Sequence, residues 1–383
     1  VRVALVHGQR VTGGAHRRIT EQARRLAARP DVELTEVVVA GTVTVTGEPV
    51  VVPLTLTADA APAWKRPVCR YADLVRTVLA YRRLQAHLTV LDPDVVWLNP
   101  CTLVQAPWVG ADRAGRSVYY CDEPPRLHYD PSARATTRRR TRALYWPLRR
   151  ALRGLDARTA RRSVTVLANS RFSAARIAAA YGRPATVVAC GVAAAFADCG
   201  PGPDRPTHVL SVGSLIPAKG HDVAIAAVAT SGLGLPLVVV AHRNAAGERD
   251  RLEHLAAAAG LVLDVRIGVN DADLAALYAA ALATLYLARA EPFGLASIES
   301  QACGTPVIVA DDGGLPETVT DPTVGLVSPR RPDAVAAVLQ ALAADPADRR
   351  ERAARARRAA SGWTWERSTV ELAAELAAVA RRA

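Results

Sequence analysis

Short apolar runs of strand length alternate with segments of helical periodicity along the whole chain, and they do so in two series. The first series predicts strands at 1–7, 33–40, 94–98, 117–121, 164–168 and 186–190, with helices over 15–29, 71–90, 103–114 and 171–181. The second predicts strands at 208–212, 235–241, 261–267, 283–288, 305–310 and 324–328, with helices near 219–230, 247–259, 272–281, 295–303 and 331–343. Apolar runs alternating with helices are the pattern of parallel sheets covered on both faces. Between the series lies Cys199-Gly-Pro-Gly-Pro-Asp-Arg-Pro206, a Pro/Gly linker. The predicted fold class is therefore α/β, with two doubly wound, Rossmann-like domains over 1–195 and 207–365. In such folds ligands bind at the C-terminal ends of the strands, so the cleft between two domains is the expected site. Helices near 345–360 and 366–382 flank Trp363-Thr-Trp365. Residues 43–57 alternate apolar and polar about Gly47-Glu48, which predicts a hairpin.

A length of 383 residues suits two such domains. No apolar stretch approaches the ~18 residues of a membrane span. The N-terminus opens on a strand, without the features of a signal peptide. Six cysteines show no paired spacing and several sit in apolar runs, which predicts buried thiols in a reducing, cytoplasmic setting. The net charge of +12 is uneven. Residues 1–191 hold 30 basic and 14 acidic side chains, leaving 18 and 22 for the remainder. Within 134–162 there are eleven arginines, one acid (Asp156), and Tyr145 and Trp146. Such a segment is either a solvated helical face or a peripheral contact with an anionic membrane surface or acceptor. Lys65 and Lys219 are the only lysines in an arginine-rich chain.

The stretch Glu291-Pro-Phe-Gly-Leu-Ala-Ser-Ile-Glu299 reads as a loop entering a helix, closed by Gly304. The amides of Phe293, Gly294 and Leu295 then fall at a helix N-terminus, where unpaired N–H groups and the helix dipole favour an anion. Gly294 lets a ligand approach the backbone. Glu299 lies about one turn further, on the face of Leu295. An anion site between two carboxylates suits a ligand that carries both phosphate and hydroxyls; an ordinary acidic surface helix fits the same spacing. Val212-Gly-Ser-Leu-Ile-Pro-Ala-Lys-Gly220 is a second such loop, with Gly213 and Ser214 after a strand and Lys219 at a helix start. Gly8-Gln-Arg-Val-Thr-Gly-Gly-Ala15 is its counterpart in the first series, with Gly13 and Gly14 at the helix entrance.

Other chemistries lack their signatures. The first loop is neither GxGxxG nor a Walker loop. Asp271-Ala-Asp273 reads as a helix cap, and the eight histidines form no HExxH or Cys/His cluster, so no metal site is predicted. No GxSxG is present. Tyr119-Tyr-Cys-Asp-Glu-Pro-Pro-Arg126 ends a first-domain strand, where Asp122 or Glu123 is placed to orient a hydroxyl and Arg126 to meet a phosphate. A rigid Pro-Pro loop with solvated charges accounts for it as well. A nucleic-acid-binding module would interleave aromatics with its charges on an exposed sheet, whereas aromatics make up only 5% here.

Together these pieces resemble the family 4 glycosyltransferases of the GT-B fold. The resemblance rests most on Glu291 to Glu299 followed by Gln301-Ala-Cys-Gly-Thr-Pro-Val-Ile308, which is similar to the family's E-x7-E signature and next strand. Gly213 with Lys219-Gly220, Gly13-Gly14, Asn169-Ser-Arg-Phe-Ser173, Gly191-Val192 and Trp363 to Glu366 support it. It implies a retaining, metal-independent transfer of a sugar from a nucleotide-diphosphate sugar, with UDP or GDP as nucleotide, and no cofactor. The acceptor would be a small or lipid-linked molecule. Donor-binding residues would be Gly14, Gly213, Ser214, Lys219, Glu291, Phe293, Gly294, Leu295 and Glu299. Lys219 would hold the diphosphate, Glu299 the ribose hydroxyls and Glu291 the transferred sugar. Gly13, Asp122, Glu123 and Arg126 would face the acceptor. Glu291, Lys219 and Asp122 would be catalytic, and the last helix, 366–383, would return to the first domain. Three positions depart from the family: Ser214 stands for Arg, Asp122 for His and Ala193 for Asp. A noncatalytic sugar-nucleotide-binding protein, an epimerase or a phosphorylase of the same fold are the alternatives.

Overall fold

The computed structural model describes residues 1–108, 115–130, 143–200, 202–203, 205–242, 244–245 and 247–382. It divides into two units, Val1–Ala189 with Glu366–Ala383, and Cys190–Trp365.

The first unit is built on a seven-stranded sheet, β1 (Arg2–Gly8), β2 (Glu33–Val39), β3 (Val50–Val52), β4 (Val95–Cys101), β5 (Ser117–Tyr120), β6 (Thr165–Ala168) and β7 (Thr186–Val187). Its order is β3-β2-β1-β4-β5-β6-β7, every pairing parallel. Alternation along the strands divides the core into two layers. Ala4, Val6, Val96 and Leu98 pack with Leu84 and Leu88 of the helix Arg66–Leu91 on one face. Val3, Leu5, Val95 and Trp97 pack on the other with Ile19 and Leu26 of the helix Gly14–Ala27 and with Leu372, Leu376 and Val379 of the final helix. Each of those last three side chains stabilises the unit by about 1.5–3 kcal/mol on burial, which binds the C-terminal helix, Trp365–Ala380, into the first sheet's core.

The second unit has six strands, β8 (His208–Val212), β9 (Leu237–Ala241), β10 (Leu263–Ile267), β11 (Ala281–Tyr286), β12 (Val307–Ala310) and β13 (Leu326–Ser328). They lie in the order β10-β9-β8-β11-β12-β13, again all parallel. Strand order reverses beside β8 and β11, so the loops after these two strands diverge and leave a crevice at the sheet's C-terminal edge.

Three expectations are corrected. The hairpin over 43–57 does not form, because Glu36 binds that segment instead. Its carboxylate accepts the amides of Val45 and Thr46 and the Thr46 hydroxyl, and β3 then joins β2 in parallel register. The helix at 103–114 is absent over its described residues. Cys101 and Gln105 exchange both backbone hydrogen bonds across a tight turn instead, with Gln105 at φ 58°. Lys219 does not open the long helix: it ends a 3₁₀ turn, Pro217–Lys219, and the helix begins at His221 after a left-handed Gly220. Of the basic stretch 134–162, residues 134–142 lie outside the described residues; most of the rest is the helix Trp146–Arg162.

Candidate donor site

The loops after β8, β11 and β12 meet at the C-terminal edge of the second sheet. After β8 the chain turns through Gly213. A side chain there would come within 3.3 Å of the Lys219 stem, so the lysine lies over the glycine. The Ser214 carbonyl accepts from the Ile216 amide at 2.8 Å and faces His221 Nε2 at 3.3 Å. His221 is buried, and burial pushes its pKa down to about 4, so the ring is neutral. The Ser214 carbonyl can only accept, so Nε2 carries the proton, and the Ser211 hydroxyl meets Nδ1 at 2.9 Å.

Lys219 reaches from this loop to the next. Its Nζ donates to Glu291 Oε2 at 2.7 Å and lies 5.5 Å from the centre of the Tyr286 ring. Both charged side chains are mostly buried, at 19% and 15% exposure, so the pair is held where water screens it weakly. Gly220 must be glycine, because a Cβ would sit 2.2 Å from the Leu287 carbonyl and φ is +75°. Arg330 lies alongside and donates to that same carbonyl at 2.6 Å. Burial lowers the Arg330 pKa, and the neighbouring Arg289 lowers it further, so cationic groups are concentrated at this edge.

Beyond Glu291, Phe293 is buried and packs edge-on against Trp363, ring centres 5.5 Å apart. Gly294 caps the helix Leu295–Ala302 at φ 116°, where a Cβ would meet Leu315 at 2.7 Å. The amides at this end precede an eight-residue helix whose dipole points into the same edge. Glu299, 6% exposed, accepts a hydrogen bond from the Tyr278 hydroxyl at 3.2 Å. Burial first, and the Glu299 charge second, raise the Tyr278 pKa far above its ordinary value, so the phenol stays a donor.

The first unit places its expected residues at the C-terminal edge of its own sheet. Gly13 precedes the helix that opens at Gly14. Asp122, two residues past β5, is gripped by Arg18: Nε to Oδ1 at 2.8 Å and Nη2 to Oδ2 at 2.9 Å. Arg18 is fully buried, lies 3.6 Å over the Tyr120 ring and also donates to Asn99 and Gln22. Glu123 accepts from Arg126 Nε at 2.7 Å, and its carbonyl accepts from Gln105. Asp122, Glu123 and Arg126 are thus engaged with charged neighbours in the protein. Sequence reasoning missed Arg18, although an arginine inside an apolar helical stripe was the available signal. It missed Tyr278, Arg330 and His221 as well, which no motif marked.

Asn270 caps the helix Asp271–Ala280 by accepting from the Asp273 amide, so the two aspartates occupy its first turn. Among the described residues no cluster of three His, Cys, Asp or Glu side chains is placed to hold a metal ion.

Two parallel α/β units with these loops define the GT-B fold class. The chain superposes on sucrose-phosphate synthase from Thermosynechococcus elongatus with a TM-score of 0.78 over 100% of both chains at 21% identity. It superposes on HepE of Anabaena, solved with UDP and glucose, with a TM-score of 0.72 at 18% identity, covering 98% of this chain and 99% of that one. Residues 200–360, within the second unit, match the family model described as "Glycosyl transferases group 1". A protein of Actinosynnema mirum named D-inositol 3-phosphate glycosyltransferase is 38% identical over 175 residues, 43% of this chain and 42% of that protein. The chain thus matches less than half the length of this curated relative.

Proposed function

We propose that the chain is a glycosyltransferase that moves a sugar from a nucleotide-diphosphate sugar to an acceptor hydroxyl. The observation that carries this reading is the Lys219–Glu291 pair beside the Gly294 helix end, within the stretch that matches the group 1 family. Lys219 and the helix amides would take the diphosphate and stabilise it as it leaves. Charge that develops on a leaving group is well met by fixed donors that need no reorganisation. Glu299 would accept from the ribose hydroxyls, and Glu291 would meet the transferred sugar once Lys219 turns to the phosphates. Gly14, Gly213, Ser214, Phe293 and Leu295 would complete the donor site. Gly13, Asp122, Glu123 and Arg126 would face the acceptor, with Asp122 oriented by Arg18.

The donor nucleotide to try first is UDP, which HepE is described as binding. The name of the relatives makes a phosphorylated polyol such as D-inositol 3-phosphate the first acceptor to try. In this reading transfer retains the anomeric configuration and needs no metal ion, because the lysine and helix end supply the positive field. Incubation with UDP-glucose and acceptor in EDTA, with the product anomer followed by NMR, tests both points. An inverted product, or activity that returns only with added Mn²⁺ or Mg²⁺, contradicts them.

A peripheral membrane contact in a cytoplasmic setting is the accompanying proposal for the first unit. Trp146 stands 62% exposed at the start of a helix that carries Arg149, Arg150 and Arg153. Aromatic and basic side chains on one face are the combination that binds an anionic bilayer surface. Co-sedimentation with vesicles containing phosphatidylglycerol, lost in Trp146→Ala, is the expected result; equal recovery with phosphatidylcholine alone contradicts it.

A further inference from the structure

The loop after β12 holds the loop after β11 by direct backbone contact. A Cβ built on Gly313 would lie 2.5 Å from the Glu291 nitrogen, 2.6 Å from the Glu291 oxygen and 3.0 Å from the Ala290 carbonyl carbon. The next residue, Gly314, donates its amide to the Glu291 carbonyl at 2.7 Å. On the other side the Arg289 amide donates to the Ala218 carbonyl at 2.8 Å, within the turn that carries Lys219. Residues 289–291 are therefore clasped between the lysine turn and the two glycines.

The clasped segment is also the place where the backbone is strained. Ala290 has φ 47°, a left-handed conformation that a residue with a Cβ rarely adopts. Such a conformation persists only where surrounding contacts impose it, and the lysine turn and the two glycines hold this segment from either side. The turn at Ala290 sets the direction in which Glu291 leaves the strand end, and so brings its carboxylate to Lys219.

We propose that Gly313 is a positioning residue for Glu291: with no side chain, it lets the β12 loop press on the Glu291 backbone and aim that carboxylate into the donor site. This rests on the reading of Glu291 as the residue that meets the transferred sugar. Any side chain at 313 must push residues 290–291 aside, because the obstructing atoms are backbone and not the end of a flexible side chain. Gly313 touches no substrate in this account; it acts through Glu291.

The test uses Gly313→Ala, Glu291→Ala and the double variant in the full chain. A crystal structure of Gly313→Ala is expected to show Glu291 withdrawn from Lys219. Release of UDP from UDP-glucose, with water as acceptor, is expected to fall roughly tenfold to a hundredfold, the usual penalty for a small misplacement of a reacting group. Affinity for UDP alone, by calorimetry, is expected to stay within about twofold, since UDP lacks the sugar. Adding Gly313→Ala to Glu291→Ala is expected to cost nothing more. Ala290→Gly adds no atoms, so it folds without a clash, and its looser turn should lower turnover in the same non-additive way. An unchanged Lys219–Glu291 contact in the Gly313→Ala crystal, or losses that multiply in the double variant, overturns the proposal. Wild-type turnover in Glu291→Ala alone would instead overturn the role assigned to Glu291, and the crystal structure would still decide the geometry.

Discussion

Lys219 and Glu291 lie 72 residues apart in sequence and 2.7 Å apart at the edge of the second sheet. Neither is spent on the core, and each is bound by a turn that contains a glycine whose Cβ would run into backbone, Gly220 on one side and Gly313 on the other. A cation and an anion held this way form a pair that a ligand carrying a phosphate and a hydroxyl can separate and satisfy. The diphosphate would replace the carboxylate at Lys219, and the sugar hydroxyl would replace the ammonium at Glu291.

Replacing Lys219 with alanine removes the ammonium proposed to hold the diphosphate. A hydrogen bond to a charged group contributes about 1.5–3 kcal/mol, so UDP-glucose affinity by calorimetry should fall by that amount. An unchanged dissociation constant contradicts the assignment.

Glu299→Gln keeps the shape of the side chain and removes its charge. The Tyr278 phenol can still donate to the amide oxygen, so the fold should hold. Calorimetry should show weaker binding of UDP, with the loss carried by ribose: a 2′,3′-dideoxy analogue should bind wild type and variant equally. Equal loss for both nucleotides would place the ribose elsewhere.

Asp122→Ala leaves the buried Arg18 guanidinium without its carboxylate. Breaking one side of a buried ion pair costs about 3–5 kcal/mol, so denaturant unfolding should show a large fall in stability. Arg18 keeps its bonds to Asn99 and Gln22, which makes the lower end of that range the expectation. A near-neutral change would mean that Arg18 finds another acceptor.

Asp156 and His221 give opposite pH dependences. Burial raises the Asp156 carboxyl to about 7 despite the Tyr181 and Tyr129 hydroxyls. The folded state therefore holds a proton that the unfolded chain has lost above its ordinary value near 3.8. Stability from this group is complete below that value and is lost as pH rises toward 7. Asp156→Asn should match wild type in melting temperature near pH 4 and exceed it near pH 8. His221, lowered to about 4, acts in the other sense: its contribution is complete above about 6.5 and is lost as pH falls toward 4. Parallel melting curves for Asp156→Asn and wild type across this range would contradict the buried-proton assignment.

The two parallel sheets were legible because burial on both faces writes itself as continuous apolar runs, as in β4 and β11, whose every residue is buried. The start of the helix Leu295–Ala302 at Gly294 was legible because a helix entrance has local punctuation, whereas the helix expected to open at Lys219 begins only at His221, after a 3₁₀ turn. The contact between Gly313 and Glu291 was not legible, since it joins two loops across neighbouring strands and no local pattern records which backbones touch. The misread hairpin has the same cause. Alternation over 43–57 is a local signal, and the Glu36 carboxylate that overrides it is nine and ten residues away from the amides it binds. Arg18 was hidden by composition: in a chain with so many arginines, a fully buried one looks like the rest until the fold supplies Asp122 and Tyr120 around it.

The most direct test of the central claim is calorimetric titration of the full chain with UDP-glucose in EDTA, alongside GDP-, ADP- and dTDP-glucose, for wild type, Lys219→Ala and Glu299→Gln. The predicted result is saturable one-to-one binding of one of these donors by the wild type, weakened in both variants. Absence of binding for all four donors, or binding that neither substitution changes, would contradict the assignment of a nucleotide-sugar site to the second unit.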